Sequence, residues 1–394
     1  MTTSLLKRLA DRLERLEGEG LRRELVALTP GPDNRIRVDG RDYLNLAGND
    51  YLGLAAEAGL VRRFYARLDD RNLLERFGPG ARASRLMTGN SSLYRELETR
   101  LATLYGSEKA LVFNSGYHIN IGILPALATR DDLILADKLC HASLIDGMRL
   151  SRANVIRYPH LDYQRIRTIL EQKRNRFDQV FLVTESIFSM DGDLADLQEL
   201  VRIRDEFDLC LYVDEAHAVG VAGRQGLGLA EEQGVLNGID LLIGTFGKAW
   251  AGQGAFVACS GIVADTLVNQ ARSLIFTTGL PPVNLHWLLF LSHIIPGMEE
   301  ERHRLRAISA WFRDELRRLG LRTGGNSQIV PVMIGDAGRT VAVAARLREA
   351  GFWVNAVRPP TVPPGTSRLR FSLSGTMTEK ELATLPTLIK SVLA

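Results

Sequence analysis

Short apolar runs, many rich in β-branched residues, recur along the first two thirds of the chain, at residues 110–113, 133–136, 154–157, 180–184, 209–213, 241–243 and 255–258. Between several of them apolar residues return every three or four positions, which is the spacing of one helical face. Leu93, Leu97, Leu101 and Leu104 mark one such helix, opening near Ser91-Ser92 and stopped by Gly106. Strands that alternate with helices in this way predict a mostly parallel α/β sheet across roughly residues 50 to 280.

The pattern changes at Pro281-Pro282. A long helical stretch follows to about residue 319, then a strand-like 329–334, a helix near 340–350, a short strand at 352–356 and a last strand-like 368–373. This reads as a smaller C-terminal α+β domain, with the Pro- and Gly-rich loop 359–365 delivering Arg368 and Arg370 to a defined place. Ahead of the sheet, residues 5–28 repeat leucine at helical spacing. The expected divisions are therefore 1–48, an N-terminal helical segment; 49–282, the large α/β domain; and 283–394, the small domain. Asp11, Glu14 and Glu17 argue against a transit peptide, and no signal-peptide core is present. The most apolar late stretch, 285–295, is short and broken by His286, Ser292 and His293, so it is expected as a core helix and not a membrane span.

Composition narrows the function without naming it. With 45% hydrophobic and 24% charged residues over 394 positions, the chain has material for two packed domains. A net charge of +3, with arginines interleaved among acids, does not favour nucleic acid as a partner. Cys140, Cys210 and Cys259 are far apart and lack metal-ligand spacing, so they are expected as reduced packing residues of a cytoplasmic protein with no metal site. Lysine is scarce, seven among 49 basic residues, and one of the seven lies in Gly244-Thr245-Phe246-Gly247-Lys248, directly after an apolar run. Burial there would lower the amine's pKa and make it a nucleophile, the mark of a Schiff-base lysine.

In an open α/β sheet ligands bind at the carboxyl ends of the strands. Asp214 and His217 follow one run, Lys248 another, and Ser189 the run at 180–184. Taken singly each has a bland alternative: Asp214 as a turn or cap residue, His217 or His141 as a satisfied loop histidine, Ser189 and Thr245 as turn hydroxyls. Together they suit pyridoxal phosphate, with Asp214 on the pyridine nitrogen, Lys248 on the aldehyde, and His217 and Ser189 on the phenolic oxygen. Ser115-Gly116-Tyr117, opening a helix, and Thr245 would bind the phosphate, and His141 would stack on the ring. A nucleotide loop around Gly247-Lys248 fails on register, because Leu242 and Ala249 stand where glycine and Ser or Thr are needed.

On these residues the chain resembles the α-oxoamine synthases, fold-type I pyridoxal-phosphate enzymes that condense an amino acid with an acyl thioester and release carbon dioxide. The likeness runs through nearly the whole chain: Asn49-Asp50-Tyr51-Leu52-Gly53-Leu54, Gly78-Pro79-Gly80-Ala81-Arg82-Ala83-Ser84-Arg85, Phe188-Ser189-Met190-Asp191-Gly192, Val213-Asp214-Glu215-Ala216-His217, Thr245-Phe246-Gly247-Lys248 and Gly365-Thr366-Ser367-Arg368-Leu369-Arg370. The resemblance implies the roles above for Asp214, His217, Ser189, Thr245, Lys248 and His141, and makes Gly116 and Tyr117 the phosphate-loop pair. It implies that Arg370 holds the amino acid's carboxylate, that Asn49 lines the substrate site, and that Thr277-Thr278 reach a phosphate across the interface of a homodimer with shared sites. Residues 84–90 and the 366–370 pattern are most similar to the branch that uses alanine and a pimeloyl thioester, carried by coenzyme A or a carrier protein, and Arg22 is similar to a basic residue near that branch's substrate entrance. His118, Gly48 and Trp250 depart from the family's usual residues. Members using glycine with an acetyl group or serine with a long acyl chain, and a noncatalytic partner subunit, are the alternatives.

Overall fold

The computed structural model describes residues 2–394, which form two compact units. The larger holds residues 58–189 and 194–302; the smaller holds the N-terminal residues through Glu57, residues 190–193, and His303–Ala394. Seven strands build the sheet of the larger unit: β1 (Lys109–Phe113), β2 (Leu133–Asp137), β3 (Asn154–Tyr158), β4 (Val180–Glu185), β5 (Cys210–Asp214), β6 (Leu241–Thr245) and β7 (Ala255–Cys259). Their order is β1-β7-β6-β5-β4-β2-β3. β7 runs antiparallel to both its neighbours, and every other adjacent pair is parallel. Each expected run is a strand. The run at 209–213 enters its strand one residue later, at Cys210, which makes Asp214 the final strand residue.

The central strands are buried along their whole length, β2, β4, β6 and β7 without exception, because helices cover a parallel sheet on both faces. Ile119, Ile123, Ile134, Val183, Tyr212 and Val257, none of them exposed, belong to one continuous core. α1 (Ser92–Tyr105) buries Leu93, Leu97 and Leu101 and ends on Gly106 at φ 64°, the left-handed cap that glycine adopts without strain. α2 (Gly116–Leu127) follows β1, and α3 (Ala142–Leu150) packs against it. The approach is close: a Cβ on Gly147 would lie 2.3 Å from the Asn120 carbonyl oxygen.

The expected division at residue 282 falls elsewhere. α4 (Pro282–Ser292) starts on a proline suited to the first helical turn and buries Leu285, Leu288 and Leu291 within the larger unit. Its His286, Trp287 and Phe290 gather around Phe64, with Phe77 against His286. The long helical stretch is therefore interrupted, by a turn at Ile295–Gly297, before Glu299–Arg318.

In the smaller unit the helix Thr3–Gly18 has no buried residue, and residues 19–28 beyond it are not helical. Arg35–Val38 pairs antiparallel with Thr29–Pro30 and with Arg41–Asn45, and Phe352–Trp353 adds in parallel to Leu44 and Asn45. The strand expected at 352–356 is split at Val354, since Asn355–Val357 pairs instead with Ser367–Ser372, which also pairs with Ile329–Gly335. Sequence-distant pairing of this kind leaves no local pattern. Among the described residues no helix is long and apolar enough to cross a membrane.

Candidate active site

Parallel register brings the carboxyl ends of β4, β5 and β6 level, pairing Glu185 with Asp214 and Asp214 with Ile243. Asp214 is 5% exposed. Its Oδ1 accepts from the Ala216 N–H at 2.9 Å and its Oδ2 from Asn120 Nδ2 at 2.9 Å. Asn120, on α2, is itself buried; its Nδ2 also donates to Ser143 Oγ at 2.9 Å, and its Oδ1 accepts from the Tyr212 hydroxyl at 2.6 Å. Asn120 was not among the residues expected to matter. Its one visible signal is a polar amide within the apolar helix of Ile119, Ile121, Ile123 and Leu124.

After Thr245 the chain makes a tight turn, in which Phe246 N–H donates to Gly254 O at 2.9 Å and Gly252 N–H donates to Phe246 O at 2.8 Å. Phe246 and Trp250, both buried, anchor the turn on either side of Lys248. Lys248 Nζ lies 2.9 Å from His217 Nε2. His217 is held by the turn after β5, where Glu215 N–H donates to Ile243 O at 2.8 Å and Ala218 N–H to Glu215 O at 2.8 Å. The Glu215 side chain points into the core, accepting from Ser186 Oγ at 2.5 Å, Leu229 N–H at 3.0 Å and Ala230 N–H at 2.8 Å. Burial pushes its pKa up to about 7.

His141 caps α3: its Nδ1 accepts from the Ser143 N–H at 3.2 Å and sits 2.8 Å from Ser143 Oγ. Desolvation lowers its pKa below that of a free imidazole, with the Asp214 charge opposing and the Lys248 charge adding. Its own N–H donates to Glu185 Oε1 at 2.5 Å. Glu185 is a second residue the sequence did not mark. Burial, with the Asp214 charge adding, pushes its carboxyl up to about 8, against the opposing Lys248 charge and the backbone hydrogen bonds from His141 and Ser189. Ser189, 7% exposed, thus lies beside this cluster.

The N-terminus of α2 offers the backbone N–H groups of Gly116 and Tyr117, with Ser115 as N-cap accepting from the His118 N–H at 3.2 Å. A Cβ on Gly116 would stand 3.6 Å from Thr245 Oγ1, so this helix start faces the β6 end. Thr245 Oγ1 donates to Gly254 O at 3.1 Å and accepts from the Gly247 N–H at 3.3 Å. The Tyr117 hydroxyl donates to Asp146, and the ring is 44% exposed. Thr277 and Thr278 lie beside the end of β1, where Asn114 Nδ2 donates to Thr277 Oγ1 at 3.3 Å and to Thr278 O at 2.6 Å.

The smaller unit gathers Asn49 and Arg370. Arg370 is buried, its Nη2 3.3 Å from both Asn49 Oδ1 and the Tyr51 hydroxyl and its Nη1 donating to Ser372 Oγ at 2.8 Å. Tyr51 in turn donates to Asn49 Oδ1 at 3.0 Å. Arg22 is exposed, lies beyond the end of the N-terminal helix, and pairs with Glu17.

The groups in the larger unit fit pyridoxal phosphate. A helix N-terminus suits a phosphate, a buried carboxylate held at both oxygens suits a pyridine nitrogen, and a primary amine beside an imidazole suits an aldehyde. Combined with the strand order and the antiparallel β7, this donor set defines a fold-type I pyridoxal-phosphate enzyme. The family model for aminotransferase class I and II matches residues 41–388. Over 357 residues, 91% of each chain, the protein is 49% identical to the 8-amino-7-oxononanoate synthase of Chlorobaculum parvum. It is similar to a solved serine palmitoyltransferase variant of S. paucimobilis with a bound PLP–myriocin aldimine, at a TM-score of 0.87 and 27% identity, covering 100% of this chain and 98% of that one. A solved 8-amino-7-oxononanoate synthase of Francisella tularensis matches at a TM-score of 0.74 and 28% identity, covering 89% and 97%. The chain belongs to the aminotransferase class I and II family and, within it, to the α-oxoamine synthases, pyridoxal-phosphate-dependent acyltransferases.

Proposed function

We propose that the protein joins L-alanine to a pimeloyl thioester, releasing carbon dioxide and the thiol and forming 8-amino-7-oxononanoate, a step of biotin biosynthesis. The observation that carries this reading is the 49% identity to the Chlorobaculum parvum enzyme over 91% of both chains. Pyridoxal phosphate, when bound, supplies an electron sink for the negative charge that develops at the amino acid's Cα. Asp214 keeps the pyridine nitrogen protonated, and His217 with Ser189 hydrogen-bonds the phenolic oxygen. Gly116, Tyr117 and Thr245 bind the phosphate, joined by Thr277 and Thr278 across the interface of a homodimer. Lys248 would hold the cofactor's aldehyde covalently, and its Nζ would take the Cα proton of alanine. His141 stacks on the ring and polarises the thioester oxygen. Arg370 grips the alanine carboxylate with Asn49 beside it, and Arg22 meets the acyl chain's far end. The acyl donor is a coenzyme A or carrier-protein thioester, and the reaction takes place in the cytoplasm.

A second reading, a serine or glycine acyltransferase of the same family, is favoured by the higher TM-score to the serine palmitoyltransferase, 0.87 against 0.74. Turnover of alanine, glycine and serine against acetyl, pimeloyl and palmitoyl thioesters, with products weighed by mass spectrometry, separates the two. Alanine with pimeloyl thioester is expected to dominate; faster turnover of serine with palmitoyl or of glycine with acetyl thioester would replace the assignment.

A further inference from the structure

Asn120 occupies a position that an apolar residue would fill at lower cost. Asparagine is a weak helix former, and a buried amide is tolerated only when its donors and acceptor are matched. Here they are matched by three polar side chains. Tyr212 is buried, and desolvation first, then the Asp214 charge, holds its hydroxyl proton firmly, so the hydroxyl is the donor and the Asn120 oxygen faces it. That fixes the amide orientation and turns both Nδ2 hydrogens away, one to Asp214 Oδ2 and one to Ser143 Oγ. Ser143 Oγ, accepting from Asn120, is left with its hydrogen for His141 Nδ1 at 2.8 Å. The Ser143 backbone N–H points at the same Nδ1. Two donors on Nδ1 leave no room for a proton there, which puts the ring proton on Nε2. Gly147, one helical turn beyond Ser143, has no Cβ to hold α3 away from the Asn120 backbone, and this close approach brings Ser143 within reach.

We propose that Asn120 and Ser143 are positioning residues that tie the Asp214 carboxylate to the tautomer of His141, fixing His141 as a hydrogen-bond donor through Nε2. The proposal rests on the proposed function, in which Asp214 and His141 meet the cofactor. It deepens that function: His141 polarises the thioester oxygen by donating to it and does not remove the Cα proton, a task left to Lys248. The charged and titratable groups acting on the pair are Glu185, Glu215, Lys248, Cys140 and Tyr212, besides Asp214 and His141 themselves.

The test uses the protein loaded with pyridoxal phosphate, read by nitrogen NMR of ¹⁵N-labelled histidine and by the pH dependence of the visible absorbance, with His141→Gln to assign the His141 signals. In the parent, His141 is expected as the Nε2–H tautomer, unchanged through neutral pH. Asn120→Ala should shift the absorbance midpoint by about one pH unit or more, the scale of one lost hydrogen bond to a charged group. Ser143→Ala, which keeps the backbone N–H on Nδ1, should leave that midpoint in place while shifting the His141 Nδ1 resonance as the Oγ hydrogen bond is lost, and Ser143→Thr should restore the parent signal. A parent His141 protonated on Nδ1, or an unaltered His141 Nδ1 resonance in Ser143→Ala, overturns the proposal even where Asn120→Ala does not fold. An absorbance that ignores Asp214→Asn is a different failure: it overturns the cofactor roles assigned to the site and the proposal with them.

Discussion

Glu215 makes the clearest prediction at the level of a single residue. The folded protein holds its carboxyl up to about 7 by burial, whereas an unfolded chain titrates near 4.3. The native state therefore binds this proton more tightly, and the stability it contributes is complete below the unfolded pKa and is lost as pH rises through the folded one. Glu185, pushed up to about 8, acts in the same direction. Stability from chemical denaturation should fall as pH rises from about 5 to about 7, and Glu215→Gln should flatten that slope by up to about 1 kcal/mol per pH unit while lowering stability overall. A parent slope unchanged in the variant would contradict this. The same two carboxylates mark where sequence reading stopped. Asp214, His217 and Lys248 could be singled out because each chemical type stood just past an apolar run. Glu185 also ends such a run, yet its weight comes from contacts with His141 and Ser189 that only the fold creates, and Asn120 gains its three partners from β5 and α3, both distant in sequence.

Among elements, α2 and α3 are the pair on which the site depends. One begins at the Ser115 cap and carries Asn120; the other is capped by His141 and carries Ser143. Gly147 is the contact that fixes their spacing, since an added Cβ would meet the Asn120 carbonyl oxygen at 2.3 Å and its carbon at 3.0 Å. Backbone cannot swing aside as a side chain does. Gly147→Ala is expected to destabilise the protein by about 1–3 kcal/mol, the usual cost of overpacking, and to weaken pyridoxal phosphate binding measured by fluorescence titration. Parent-like stability and cofactor affinity would show that the helices have room to spare. The strands that flank these helices were legible because fully buried strands read as continuous apolar runs. The break at Val354 and the membership of α4 in the larger unit were not, because both depend on partners far away in sequence: Leu44 and Arg370 in the first case, Phe64 and Phe77 in the second.

For the molecule as a whole, the proposed homodimer with shared sites has a direct consequence. Lys248→Ala and a Thr277→Ala, Thr278→Ala double variant damage different parts of one site, so a mixed dimer would carry one doubly damaged site and one intact site. Unfolding and refolding the two together should recover up to about a quarter of parent activity, whereas each alone recovers far less. No gain on mixing would mean that each chain completes its own site. The central claim, that this chain is a pyridoxal-phosphate acyltransferase working through Lys248, is tested most directly by borohydride reduction of the loaded protein followed by peptide mass analysis. The visible absorbance should bleach, and the pyridoxyl-phosphate mass should appear on the peptide containing Lys248 and be absent from Lys248→Ala. Label on another of the seven lysines, or no label at all, would contradict the account.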